Sequence, residues 1–255
     1  MNTPELADPP LGFSADSRFG SFEYEGADLE AMGVAENYPK WIVEEFSPYL
    51  RGKIADVGAG SGNFSKYLLN ADVESIHAFE PCSRMHGLLS KRYEQESRLE
   101  AVNGYVTDLA GEFEAKFDAV VYNNVMEHVA DDEAELKAVY RMLKPGGCVL
   151  IYVPALQWLY SDFDRSLGHY RRYEKASGAE LLLKTGFAVE TVKYADVLGV
   201  LPWFLCMKVF RAKLSKGSVG LYDRVGVPVT RMIEKFVPMP LGKNLLMVGR
   251  KAWPN

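Results

Sequence analysis

The run Lys53-Ile54-Ala55-Asp56-Val57-Gly58-Ala59-Gly60-Ser61-Gly62-Asn63-Phe64 decides the fold. A short apolar stretch ends in three alternating glycines, after which Phe64, Tyr67, Leu68 and Leu69 recur with helical spacing. The run reads as a strand, a tight turn and the start of a helix. Glycines, lacking a Cβ, admit positive φ and let a ligand approach the backbone closely. Unpaired N–H groups at the helix start favour an electronegative group on that ligand.

Acidic residues lie on either side of this loop. Asp56 precedes the first glycine, and Glu80 ends the next strand-like run, Ser75-Ile76-His77-Ala78-Phe79-Glu80-Pro81. A carboxylate about 20 residues beyond such glycines can accept hydrogen bonds from ribose hydroxyls. A third strand-like piece ends at Thr107-Asp108-Leu109, and a fourth, starting at Phe117, ends at Asn123-Asn124. A dinucleotide fingerprint wants Gly or Ala where Asn63 stands, so the loop leans away from NAD. Strands are read at 53–58, 74–80, 100–106, 117–122, 147–153, 187–194 and 244–250, with helices at 63–70, 82–94, 131–143 and 174–185 between them. Such alternation predicts a parallel sheet covered on both faces, with its ligand at the C-terminal strand ends.

Asp56-Val57-Gly58-Ala59-Gly60-Ser61-Gly62, Glu80, Asp108, Asn123 and Leu143-Lys144-Pro145-Gly146-Gly147, in that order, resemble a class I S-adenosylmethionine (SAM) methyltransferase over residues 40–195. The resemblance implies a Rossmann-like, doubly wound, seven-stranded and mostly parallel α/β sheet whose last strand is antiparallel. It implies SAM as cofactor, with S-adenosylhomocysteine as product. Gly58, Gly60 and Gly62, with Asp56 before them, are then expected under the amino-acid portion of SAM. Glu80 and Pro81 are expected at the ribose, Asp108 and Leu109 at the adenine, and Asn123 beside the methionine portion. A helix pattern over 35–50 carries Tyr38 and Trp41. These read as core residues or, by the same resemblance, as contacts in the cofactor pocket.

Two stretches bear on the acceptor. Asn123-Asn124-Val125-Met126-Glu127-His128-Val129 resembles the Glu-His-Val segment of methyltransferases of the ubiquinone-biosynthesis type. His128 is then either a base near the methyl group or a structural histidine. Residues 155–173 mix aspartates, arginines and aromatics without periodicity, as a pocket with a polar purpose does. Their end, Gly168-His169-Tyr170-Arg171-Arg172-Tyr173, resembles a bacterial branch associated with glycolipid and surface-sugar pathways. His169 is a second candidate base, and Arg171 and Arg172 can hold a carboxylate or phosphate. Tyr170 and Tyr173 complete the expected substrate contacts. The bland alternative pairs an arginine with Asp162 or Asp164 and packs the tyrosines on helix 174–185.

The chain divides into an arm (1–35), a SAM-binding core (36–195), a helical insertion (196–240) and the last strand (241–255). The Pro- and Gly-rich arm reads as a flexible tail or a flap. The insertion begins with Val197-Leu198-Gly199-Val200-Leu201-Pro202-Trp203-Phe204, too short and proline-interrupted to span a bilayer. Basic residues follow it, leaving core or substrate cover, a homodimer contact and a membrane-surface element as readings. A net charge of −5 gives no sign of a nucleic-acid partner. Three scattered cysteines match neither a disulfide framework nor a zinc pattern, and no metal is expected because no carboxylate triad is found. No secretory leader is read, so a cytoplasmic protein is expected, with peripheral membrane contact left open. The combined expectation is a methyltransferase acting on an oxygen of a small-molecule or lipid- or sugar-linked acceptor. N-methylation, an NAD-dependent oxidoreductase and a catalytically silent SAM-binding partner are the alternatives.

Overall fold

The computed structural model describes residues 35–210 and 216–253. All of the arm before Ala35, and with it the expected tail or flap, lies outside the described residues.

The central strands are apolar runs buried on both faces, as parallel strands between helical layers must be. In chain order they are β1 (Gly52–Val57), β2 (Val73–Phe79), β3 (Leu99–Val102), β4 (Phe117–Asn123), β5 (Leu143–Pro154), β6 (Ala188–Ala195) and β7 (Asn244–Arg250). They form one seven-stranded sheet in the order β3-β2-β1-β4-β5-β7-β6. The pairs among β1 to β5 are parallel, whereas β7 runs antiparallel to both β5 and β6. This is the expected doubly wound topology. The strand order reverses between β1 and β4, which places the ligand crevice above Val57 and Tyr122.

Successive residues point to opposite faces of a strand. Val120 and Tyr122, Val149 and Ile151, and Leu245 and Met247 enter one core. Ala119 and Val121, Leu150 and Tyr152, and Leu246 and Val248 enter the other. The first core is closed by α5 (Asp132–Met142) and α7 (Lys175–Lys184), through Leu136, Val139, Leu181 and Leu182. The second is closed by α1 (Asn37–Phe46), α2 (Ser65–Leu68) and α3 (Ser83–Arg92), through Trp41, Ile42, Phe46, Leu68 and Leu89.

Two local expectations are corrected. The third strand stops at Val102 rather than 106, because Gly104 turns the chain with a φ of 150°. Val106–Leu109 is a short helix, α4, whose Val106 is buried. A short apolar run does not reveal by its periodicity whether it is strand or helix. The Lys144–Gly147 turn is absorbed into an early start of β5, with a shift of register against β4.

The insertion is helical as expected and is tied to the core. It comprises α8 (Val197–Trp203) with a wide helical turn through Val209, then α9 (Lys216–Leu221), another wide turn, and α10 (Val227–Glu234). Between α5 and α7, α6 (Asp162–Ser166) belongs to the 155–173 loop. Asp223 of the insertion caps α1, accepting from the backbone N–H groups of Glu36 (3.0 Å), Asn37 (3.1 Å) and Tyr38 (2.8 Å). A carboxylate there meets both the orphan donors and the positive end of the helix dipole. Asp196 anchors the junction: it is fully buried at a φ of 66° and accepts from Tyr38 (2.9 Å), Tyr222 and Lys243 (3.0 Å).

Candidate active site

The glycine loop sits at the C-terminal ends of β1 and β2. Gly58, Gly60 and Gly62 have φ of 69°, 57° and 80°, values that L side chains rarely adopt. A Cβ on Gly58 would lie 2.5 Å from Val125, and one on Gly62 would lie 2.4 Å from Tyr93. At Gly60 it would meet nothing within 4 Å, so the loop is packed from beneath and open above its middle glycine. Gly60 N–H donates to one oxygen of Glu80 (2.8 Å) and Cys82 N–H to the other (2.8 Å). The half-buried Pro81 lies between Glu80 and Cys82, and Asn103 Nδ2 donates to the Glu80 carbonyl (2.8 Å).

Both acids of this loop resist ionisation. Burial pushes the Asp56 carboxyl up to about 7; the Ser65 hydroxyl, donating at 2.6 Å, opposes the rise and the charge of Glu80 adds to it. Burial also raises Glu80, against the two N–H groups it accepts. Two neighbouring buried acids favour a cationic ligand and disfavour an anionic one.

Three of the expected cofactor contacts have surroundings that differ from the reading. Asp108 stands exposed on α4 instead of at a strand end, and the half-buried Leu109 packs under Gly104. Tyr105 immediately precedes α4. Burial raises its hydroxyl pKa, with Glu80, Asp108 and Cys82 contributing, so it lies within electrostatic reach of the loop. The Tyr38 hydroxyl is engaged at the insertion junction, bonded to Tyr152 (2.9 Å), Asp196 (2.9 Å) and Asn244 (3.0 Å). Asn123 is the last residue of β4 and accepts from Asn124 Nδ2 (3.2 Å).

Beyond β4, Asn124 at a φ of 54° turns the chain through Val125, which packs on Gly58, into the helical turn Met126–His128. Tyr170 N–H donates to the Glu127 carbonyl (2.8 Å), drawing the 155–173 loop onto this turn. The rings of His128 and His169 consequently meet edge to face, 4.6 Å between centres. Burial, with the neighbouring His169, pushes the His128 pKa down to about 3, so this ring is neutral and bonds the Leu167 carbonyl. His169 Nδ1 faces Asp164 Oδ1 at 3.2 Å. Glu127, 1 % exposed, was not singled out from the sequence. Burial pushes its carboxyl up to about 7, against the pull of His169, and its Oε2 is buried without a hydrogen-bond partner.

The two arginines are committed within the chain: Arg172 pairs with Asp164, as the bland reading had it, and Arg171 with Asp132, which that reading did not name. Arg172 is buried and grips Asp164 Oδ1 through Nε (2.8 Å) and Nη2 (2.7 Å). Asp164 also accepts from the N–H (2.9 Å) and hydroxyl (2.8 Å) of Ser161. Burial works against its charge, but His169, Arg172 and Ser161 outweigh burial and hold the carboxyl below the ordinary range. Arg171 pairs with Asp132 (2.6 Å) and donates to the Ala130 carbonyl (2.7 Å). The buried Tyr173 hydroxyl bonds Asp132 (2.9 Å) instead of facing a pocket. Arg171, Arg172 and Tyr173 therefore brace the site, and Tyr170 alone of the four is exposed. Trp203 of the insertion covers this layer, with the Arg172 guanidinium 4.9 Å from its ring centre.

Comparison with known proteins bears on the family and the fold. A family model for a methyltransferase domain matches residues 34–192. Ubiquinone biosynthesis O-methyltransferase of Xanthomonas oryzae is 29% identical over 170 residues, 59% of this chain and 67% of that protein. Phosphoethanolamine N-methyltransferase 2 of Caenorhabditis elegans is 27% identical over 112 residues, 43% of this chain and 26% of that protein. A chain from the complex between the Haloferax volcanii Trm112 methyltransferase activator and a methyltransferase superposes with a TM-score of 0.62 at 18% identity, covering 89% of this chain and 96% of that one. Phosphoethanolamine N-methyltransferase 2 of Haemonchus contortus, in complex with SAM, gives 0.57 at 20% identity, covering 85% and 52%. The structural likenesses carry the fold and the sequence match carries the family: the chain belongs to the class I SAM-dependent methyltransferases.

Proposed function

We propose that the chain methylates an oxygen of a hydroxyl-bearing, lipid-linked small molecule. The observation that carries this reading is the meeting of His169, His128 and Glu127 beside the glycine loop, with His169 Nδ1 fixed by Asp164. An aspartate on Nδ1 sets the tautomer and leaves Nε2 to face a hydroxyl, an arrangement that readies an oxygen acceptor.

The open space above Gly60 and the two acids beside it fit SAM, which supplies a methyl group on a cationic sulfonium. The open backbone at Gly60 gives the ligand a close approach to the loop, while Asp56 and Glu80 favour its positive charge. An anionic pyrophosphate, as NAD carries, would face the same two acids, which supports the methyltransferase reading over the oxidoreductase. The core's further work is alignment and exclusion of water around an in-line displacement.

The insertion supports a lipid-linked acceptor. Leu201, Phe210, Leu221, Met232 and Phe236 on it are each more than 60 % exposed. Residues 197–241 carry seven basic residues against two acidic ones, in a chain of net charge −5. Asp223 is buried under α1, and Glu234 accepts from Val197 N–H (2.8 Å), so both acids serve internal bonds. Apolar side chains among basic ones suit an anionic lipid surface. Among the described residues, no helix is long and apolar enough to cross a membrane.

The test is transfer of label from methyl-tritiated SAM into a cell extract split into organic and aqueous phases. The reading predicts label in the organic phase on a methylated hydroxyl. Label on an amine would replace it with N-methylation. No transfer into either phase, with S-adenosylhomocysteine still bound, would leave a silent SAM-binding protein.

A further inference from the structure

We infer that Glu127, His128 and His169 form a binding site for one divalent cation of the zinc or cobalt type. One ligand atom from each lies within 4.8 Å of the other two. The inference deepens the reading of this cluster as the acceptor's oxygen site, with His169 Nε2 turned to the cation and the cation, in place of the free imidazole, facing the hydroxyl; its first test needs no acceptor.

Three features distinguish the cluster from a chance meeting of polar groups. Each histidine already uses one ring nitrogen on an outer partner, His128 on the Leu167 carbonyl and His169 on Asp164. Metal-binding histidines are held in this way, with the second nitrogen free for the cation. Glu127 contributes a buried carboxylate oxygen, Oε2, that lacks any hydrogen-bond partner. Such an orphan is costly unless something positive or hydrogen-donating completes it. The nearby positive charge of Arg172 is already matched by Asp164, so Glu127 is left to offset the cation. Two imidazoles and a carboxylate suit zinc, cobalt or iron better than magnesium or calcium. In a tetrahedral site with bonds of ~2.1 Å, ligand atoms stand about 3.4 Å apart, so the three must close by up to about 1.4 Å.

Three protein ligands leave a fourth position open, as catalytic rather than structural sites do. An acceptor hydroxyl bound there loses its proton to solvent at neutral pH, because the cation stabilises the oxyanion. The oxygen then forms its bond to the methyl carbon as the methyl–sulfur bond breaks, and the sulfonium charge is discharged. A metal was not expected from the sequence because carboxylate triads were sought, and Glu127, His128 and His169 come together only in the fold.

The experiment is titration of the metal-free full chain with Co²⁺, followed by optical absorption, and with Zn²⁺, followed by calorimetry. One cation per chain is expected, with the intense visible bands of low-coordinate cobalt and no thiolate charge-transfer band. Glu127→Gln and His169→Ala are expected to weaken Zn²⁺ binding by more than about 100-fold, beyond the roughly 10- to 100-fold expected when outer-layer partners are lost. Should either variant fail to fold, X-ray absorption of the zinc-loaded parent decides, with two imidazoles in an oxygen and nitrogen shell expected. No binding, affinity unchanged in the variants, or a sulfur shell from Cys82, Cys148 or Cys206 would overturn the site. S-adenosylhomocysteine binding in the same preparation separates this failure from failure of the methyltransferase reading.

Discussion

Single residues in the glycine loop make separable predictions. The Asp56 carboxyl has a folded pKa of about 7, above the ~3.9 of an unfolded chain. Its contribution to stability is therefore complete below about pH 4 and is lost as pH rises towards 7. Asp56→Asn keeps an acceptor for the Ser65 hydroxyl and carries no charge to bury. The variant is expected to gain on the parent between pH 4 and pH 8 by up to about 4 kcal/mol, at 1.36 kcal/mol per pKa unit. Denaturant melts across that range check it, and parallel curves would refute it. Gly58 and Gly60 are predicted to differ although both have positive φ. Gly58→Ala drives its methyl into Val125 and is expected to lower stability by roughly 1–3 kcal/mol. Gly60→Ala has room, so its melting temperature should fall less, while its methyl enters the space above the loop and weakens S-adenosylhomocysteine binding. Melting and calorimetric titration of the two variants read this difference.

At the scale of elements, the insertion is a fixed part of the core at its Asp223 contact. Asp223→Ala removes the acceptor of three backbone N–H groups at the start of α1. A lost helix cap costs about 0.5–2 kcal/mol, and buried donors left without a partner add to it. The expected result is a loss of about 2–4 kcal/mol together with faster proteolysis within 196–240. A variant as stable and as protected as the parent would show the cap to be immaterial. Such a contact is illegible in sequence, because Asp223 and Tyr38 are 185 residues apart. The core strands were legible because two-sided burial writes itself as continuous apolar runs. The glycine turn was legible because backbone shape demands that residue type there. Asp108 was misplaced because Val106 is buried equally well by a helix as by a strand. Arg171, Arg172 and Tyr173 read as substrate contacts because their partners, Asp132 and Asp164, are fixed only by the fold of the loop. Glu127 stood within a recognised segment but was passed over, since its burial arises only when the 155–173 loop closes on it.

For the whole molecule, one topological fact organises the rest. The strand order reverses between β1 and β4, so the glycine loop after β1 and the Glu127–His128 turn after β4 are neighbours. The glycine loop and the Glu127, His128 and His169 cluster therefore share one crevice, and the insertion before β7 covers its far side through Trp203. The central claim is that this crevice binds SAM through the loop that Glu80 holds in shape. The most direct measurement is calorimetric titration with S-adenosylhomocysteine of the parent and of Glu80→Ala. The predicted result is one site per chain in the parent and affinity at least about ten-fold weaker in the variant, about 1.4 kcal/mol. Absence of binding in the parent, or binding of NADH in its place, would contradict the account.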